Sequence, residues 1–401
     1  MIQITGHRIS GERGASHIKE VPLKRLFALT FVLVLGLSLV GMAQGKVAVV
    51  LDVGGRGDLS FNDMGFKGTD QAAIDFGLEM TEVQSTSAAD YVPNLRNLSR
   101  TGEYDLIIGV GFLFTDAMAE VAAEFPEQKY CIIDSVVMAD NVMSIIFREN
   151  EMSALIGALG AIAAYENDYE AFGVVLGIEI PVLYHFEAGV RYGMAWANDK
   201  LGAEIDLLYT YTGTFSDIAL GKAATEAMLG QGAVGVFNVA GPVGLGDHAA
   251  IVEAHTNAGT TYGPPFYFGV DANQDYLSHT LASGMKRVDQ ATYFAVKSVV
   301  DGTFAGGITS LGMTEGGVGI SDVALLADFI DFGVAGGVVE AADFYTIIAD
   351  WATDRNYVSA EGWGYIAELE AGILDGSIAV PTADTLDEME AVRADYLLNA
   401  P

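Results

Sequence analysis

The sequence predicts an α/β protein of two similar lobes, each a parallel sheet with helices on both faces. Short β-branched runs alternate with segments of helical period from Lys46 onward. The alternation starts afresh after about residue 148, and several runs end on a polar or turn-forming residue. At 401 residues the chain is long enough for two domains of roughly 100 to 200 residues each.

Val47 to Leu51 is an apolar run closed by Asp52 and followed by Gly54 and Gly55, the pattern of a buried parallel strand feeding a loop. Phe66 to Gly77 carries apolar residues at helical spacing. Leu106 to Val110 reads as the next strand, Thr115 to Phe125 as a helix and Tyr130 to Ile133 as a strand. The second series runs through a helix from Ser153 to Tyr165, a strand from Phe172 to Leu176 and a helix from Glu187 to Asn198. It continues with a strand from Ile205 to Tyr211, a helix from Gly221 to Leu229, and strands from Val234 to Asn238 and Phe266 to Val270. The aromatic-rich stretch from about 321 to 380 predicts two or three helices that complete the second lobe. This reading puts the first lobe at 46–147 plus about 271–313, the second at 148–270 plus about 314–380, and an acidic tail at 381–401.

Residues 1–43 differ from the rest. Lys24 and Arg25 precede an apolar run from Leu26 to Val40, and Gly41, Met42 and Ala43 supply small residues at its end, the three parts of a secretory signal peptide with cleavage after Ala43. The other reading is an uncleaved anchor, although the run falls short of the about 20 apolar residues a span needs. Either places the folded protein in the periplasm or on the extracellular face of the cytoplasmic membrane. The single cysteine, Cys131, sits in an apolar run, so no internal disulfide forms, and no cysteine follows the leader to carry a lipid anchor.

Fifty-one per cent apolar residues give ample core. The formal net charge of -33 repels phosphate backbones and anionic lipids, which argues against nucleic acid as a partner. The three glycines of Gly241 to Gly246 lack the lysine of a phosphate loop. No His-Glu-x-x-His pair or Gly-x-Ser-x-Gly elbow is present, so neither a metal, a cofactor nor a catalytic residue is expected. Ligands of open parallel sheets lie beyond the carboxyl ends of the strands. At those ends stand Asp52, Gly109-Val110-Gly111, Asp134, Asn238 with Gly241, and Asp271. Asp116 is read as a helix-capping residue.

The segment Asp52-Val53-Gly54-Gly55-Arg56-Gly57-Asp58-Leu59-Ser60-Phe61-Asn62 resembles the basic membrane protein family of ABC transporter substrate-binding proteins, which includes purine nucleoside receptors. Further resemblance lies in Gly109 to Ala117, Ile132-Ile133-Asp134, Phe147 to Glu151, Glu179-Ile180-Pro181 and Phe186 to Gly189. It extends through Ala240-Gly241, Gly269 to Gln274, Met285 to Val288 and Glu315 to Gly319, all in the family's order. The first loop departs from the pattern: Arg56, Asp58 and Leu59 stand where an acidic residue and a lysine usually precede Ser-Phe-Asn.

The resemblance implies a type I periplasmic binding fold, with two Rossmann-like lobes joined by three crossovers and a ligand in the cleft. It further implies a monomer that delivers a nucleoside such as adenosine, guanosine or inosine to ABC permease subunits. It assigns ligand contact to Asp52, Phe61, Asp134, Phe215, Gly241, Asp271 and Lys286. Phe61 and Phe215 would stack on the base, Asp271 and Lys286 would hold the ribose, and Asp52 and Asp134 would face the base or the other sugar edge. A sensory receptor for the same ligand, a binder of another small polar molecule and a nucleoside-cleaving enzyme are the competing readings.

Overall fold

The computed structural model describes residues 45–398; the expected leader, residues 1–43, lies outside the described residues. In β1 (Lys46–Leu51) every residue from Val47 to Leu51 is buried, which suits a strand covered on both faces. Beside it lie β2 (Glu79–Gln84), β3 (Leu106–Val110), β4 (Tyr130–Ile133) and β5 (Val142–Phe147), with β11 (Gly307–Leu311) at the far edge. Their order is β11-β5-β4-β3-β1-β2 and all pairings are parallel. Helices α1 (Phe61–Phe76), α2 (Tyr91–Thr101) and α3 (Thr115–Glu124) connect them.

The second sheet repeats the plan with β6 (Ala171–Leu176), β7 (Asp206–Tyr211), β8 (Ala233–Val239), β9 (Phe266–Asp271), β10 (Thr280–Lys286) and β12 (Val318–Ile320). The order is β12-β10-β9-β8-β6-β7, parallel except for β12 against β10. Its helices are α4 (Glu149–Glu166), α5 (Pro181–Leu201), α6 (Ile218–Gly230) and α7 (Gly244–Ala258). After β10 the chain returns to the first lobe through α8 (Val288–Val300), which packs on α1 where Thr292 Oγ1 donates to the Gly65 carbonyl at 3.3 Å. The chain therefore passes between the lobes three times, after β5, after β10 and after β11. The sequence reading puts the second passage at about residue 271. The structure puts it after Lys286, because Thr280–Lys286 forms a strand of the second sheet.

The elements that sequence pattern misses have physical reasons. Strand β2 is an edge strand with a largely polar, exposed sequence, EMTEVQ, so no apolar run marks it. Strand β10 carries Ala282, Ser283 and Gly284 because α4 lies close above it. A side chain at Gly284 would meet Met152 Sδ at 2.6 Å.

Beyond β12, α9 (Val323–Ala335), α10 (Phe344–Arg355) and α11 (Ala360–Leu374) form the aromatic-rich segment. Trp351 Nε1 donates to buried Asp275 at 2.8 Å and the Gly263 amide donates to Asp354 at 2.9 Å, fixing α10 to the second lobe. The tail holds α12 (Leu386–Asp395), which opens on a Thr385/Glu388 capping box. Arg393 reaches both oxygens of buried Glu187 on α5, at 2.8 and 2.7 Å.

Helices α4 and α5 meet backbone to backbone through glycines. A Cβ added at Gly193 would stand 1.9 Å from the Ala154 carbonyl oxygen, and one at Gly157 would stand 2.4 Å from that of Val190. Gly193→Ala must push the helices apart and is expected to destabilise the fold by about 1–3 kcal/mol in urea unfolding. Gly364→Ala, whose Cβ would meet nothing within 4 Å, should instead stabilise by about 0.5–1 kcal/mol.

Candidate functional site

Where β1 ends, Asp52 begins a loop that leads into α1. Its Oδ1 accepts from the Gly54 amide at 2.8 Å and from Asn62 Nδ2 at 2.9 Å. Asp58 gathers the free amides at the start of α1: Oδ1 takes Ser60 and Asp63, and Oδ2 takes Asn62. Asp63 returns the favour to the loop, accepting from the Gly57 and Leu59 amides and from Arg56 Nε. This network fixes Phe61, the first residue of α1, at the mouth of the sheet. Across from it, Gly111 has φ +122; a Cβ there would stand 3.0 Å from Asp52 Oδ2 and 3.4 Å from the Phe61 ring, so only glycine leaves the space open.

The second lobe contributes the matching face. Phe215 follows β7 in a loop and lies against Gly177, where a Cβ would come within 2.2 Å of its ring. Gly241, with φ +54, turns the chain after β8. The start of α5 adds Val182, Leu183 and Phe186.

Between the lobes these groups line a cleft that is partly open to solvent, with residues of both lobes facing the same space. Asp134 directly follows β4 and Asp271 ends β9, on opposite lobes, and both hold left-handed backbone, at φ 64 and 62. That conformation is uncommon outside glycine and aims both carboxylates into the cleft.

Lys286, the last residue of β10, is buried between them. Its Nζ donates to Asp134 Oδ2 at 2.6 Å and to Glu149 Oε1 at 3.4 Å, and stands 3.9 Å from Asp271 Oδ1. The rings of Phe61, Phe147 and Phe186 surround the ammonium at 4.8, 5.5 and 5.5 Å. Ser60 Oγ donates to Asp271 Oδ2 at 3.1 Å and to the Val270 carbonyl at 3.0 Å, and Gln274 Nε2 donates to the Leu59 carbonyl, so the lobes are bonded across the cleft. Asp134 Oδ1 and Asp271 Oδ1 are buried with no hydrogen-bond partner among the described residues.

Burial pushes Asp52 and Asp271 above the usual carboxylate range. It pushes Asp134 up to about 7, against the opposing pull of Lys286. Burial and the neighbouring Asp63 charge raise Asp58 to about 7. Burial disfavours the charge on Lys286, but Asp134, Asp271 and Glu149 more than offset it and hold the ammonium above its ordinary value. Burial likewise works against ionised Glu149, and Lys286 with His185 overcomes it, leaving that carboxyl low.

All seven residues expected from the sequence line this one cleft. Sequence reasoning missed Glu149, His185 and Phe186. Glu149 and Phe186 lie within stretches that carry the family resemblance, but their pairing across space has no sequence spacing. Asp116 is exposed in the first turn of α3 and makes no side-chain cap.

Lys286→Met removes the ammonium that faces the three buried carboxylates Asp134, Glu149 and Asp271. It is expected to cost about 3–5 kcal/mol in urea unfolding. His185, hydrogen-bonded to Glu149 and Asp384 at 2.9 and 3.0 Å, gives a pH signature. Burial opposes its charge, yet the two carboxylates hold the imidazole up at about 9 from an ordinary 6.5. Its folded-state pKa is raised, so its contribution is complete below about 6.5 and is lost as pH rises through about 9. Urea midpoints taken across that window should fall for the wild type and fall less for His185→Gln.

Comparison with known proteins places this architecture. Residues 45–331 match the model of the Bmp family, ABC transporter substrate-binding protein PnrA-like. An uncharacterized lipoprotein of Pyrococcus furiosus is 37% identical over 352 residues, covering 86% of this chain and 88% of that protein. The ABC transporter nucleoside-binding protein BmpA of Lactococcus lactis is 31% identical over 290 residues, covering 68% and 80%. Among solved structures, an ABC transporter solute-binding protein of Aeropyrum pernix superposes with a TM-score of 0.83 at 38% identity, covering 88% of this chain and 98% of that one. With its two mainly parallel-sheet lobes and three crossovers around an interlobe cleft, the chain belongs to the Bmp family of PnrA-like ABC transporter substrate-binding proteins.

Proposed function

We propose that the cleft captures a nucleoside, with a purine nucleoside such as adenosine, guanosine or inosine as the cargo, outside the cytoplasm and presents it to an ABC permease for import. The observation that carries this reading is the pair of buried carboxylate oxygens, Asp134 Oδ1 and Asp271 Oδ1, without a donor among the described residues, on opposite lobes of a cleft whose lining includes the rings of Phe61 and Phe215. An unpaired buried acceptor is costly, so the cleft calls for a ligand rich in hydrogen-bond donors. Ribose hydroxyls and base N–H groups are such donors, and a purine offers a flat face to Phe61 and Phe215. The relative named as a nucleoside-binding protein supports the same choice. Binding rather than turnover is the reading that membership of a substrate-binding family supports.

A thermal-shift panel of nucleosides, free bases, sugars and amino acids tests the reading. A purine nucleoside at 100 times its Kd should stabilise the protein by about 2.7 kcal/mol, and chromatography of the mixture should return it uncleaved. Phe61→Ala should then weaken binding by about 1–3 kcal/mol through lost stacking. A rise in Tm with another ligand class and none with purine nucleosides rejects the nucleoside; release of free base rejects transport.

A further inference from the structure

Glu149 is the one carboxylate of the Lys286 cluster that does not line the cleft; it stands behind the ammonium, at the start of α4. Its second oxygen meets His185 Nδ1 at 2.9 Å, and His185 Nε2 meets Asp384 Oδ1 at 3.0 Å. Both ring nitrogens thus face carboxylates, which accept but do not donate when ionised, so the ring satisfies both only as the imidazolium. Asp384 belongs to the stretch leading into α12. Asn150 Nδ2 anchors that stretch by donating to the Val380 and Pro381 carbonyls at 2.9 and 3.2 Å, and Ala383 is buried on α5.

We propose that Glu149 and His185 are positioning residues for Lys286, forming a relay from Asp384 through His185 and Glu149 to the cleft ammonium, by which the docked 380–384 segment sets ligand affinity. The inference rests on the cleft being the ligand site. With the imidazolium in place, the charge of Glu149 is shared between two cations and Lys286 stays forward, against Asp134. When the ring loses its proton, Lys286 becomes the sole cation on Glu149 and is drawn back toward it. Asp134 and Asp271 then lose part of the counter-charge that favours their ionised, accepting form against burial.

The other charged groups around His185 are already engaged. On α4, Arg148 pairs with Glu151 and with Glu315, and on α5, Glu187 pairs with Arg191 and Arg393. Glu149 and Asp384 are therefore the two groups that read the state of the ring.

Two measurements on the full chain test the relay. The first needs no ligand: in isotope-labelled protein the Lys286 ammonium resonance is followed while the His185 ring is titrated. It should shift as the ring deprotonates, stay still in His185→Gln, and Glu149→Gln should bring the His185 titration down toward that of a free imidazole. The second uses adenosine, whose protonation does not change between about pH 7 and about pH 10. Its affinity should fall at least about fivefold over that range in the wild type and stay flat in His185→Gln. A Lys286 resonance indifferent to the ring overturns the relay, as does an alkaline loss of affinity that persists in His185→Gln. If adenosine binds at no pH, adenosine is excluded as the cargo and the resonance alone decides the relay. If Glu149→Gln does not fold, His185→Gln, at a partly exposed position, carries both arms.

Discussion

One buried ammonium organises this molecule. Lys286 is 2% exposed, and an ion taken that far from water is tolerated only where opposite charges and hydrogen bonds replace the solvent. Here they come from three places that the chain visits far apart: Asp134 at the end of β4, Glu149 at the start of α4 and Asp271 at the end of β9. Lys286 ends β10 and Glu149 follows β5, so two of the three passages between the lobes begin inside the cluster. The same contacts that neutralise the lysine therefore define where the lobes meet. Ser60 on Asp271 and Gln274 on Leu59 complete the junction from the other direction. Opening the cleft must break hydrogen bonds in this apolar surrounding, where their loss is felt in full unless water or ligand takes their place.

How much of this was legible in the sequence differs residue by residue. Asp52, Asp134 and Asp271 follow from a positional rule alone, because apolar β-branched runs announce buried strands and each carboxylate stands at the carboxyl end of one. Gly241 follows from the same rule, just beyond the strand end marked by Asn238, but Phe61, Phe215 and Lys286 do not. Phenylalanine is commonly core, and a lysine beside Arg287 reads as a surface charge, so only the family resemblance singles them out. Glu149 and His185 escaped both routes, since their meaning is a contact across 36 residues. The fold shows the same division. Strands buried on two faces are visible as apolar runs, whereas β2, polar at a sheet edge, and β10, built of small residues under α4, carry no periodic signal.

The C-terminal helices extend the second lobe and also touch the first. Trp351 and Trp363 sandwich Arg355 at 4.7 and 3.8 Å, and α10 is pinned through buried Asp275 and Asp354, which ties this aromatic segment to the β9–β10 region. At the other end, α9 reaches across: Lys67 of α1 lies over Phe329 at 4.8 Å, and Gly336, just past α9, approaches Leu59 so closely that a Cβ would meet its side chain at 3.0 Å. Leu59 belongs to the same loop that positions Phe61. Any displacement of that loop from the second lobe must slide Leu59 past the end of α9, so the extension bears directly on the freedom of the cleft.

Charge narrows what such a cleft can hold. Its lining carries four carboxylates, Asp52, Asp58, Asp134 and Asp271, and one cation, Lys286, which is already shared among Asp134, Glu149 and Asp271. A phosphate brought into this setting would meet no free positive charge. It would also face uncompensated carboxylates in surroundings that screen them weakly, within a chain of net charge -33. A neutral ligand meets the opposite situation: each donor it brings toward Asp134 Oδ1 or Asp271 Oδ1 reaches an acceptor that no donor of the described residues satisfies. The two carboxylates lie on different lobes, so a single molecule satisfies both only when the lobes are held together. The need for donors and the coupling of binding to closure thus arise from the same pair of oxygens.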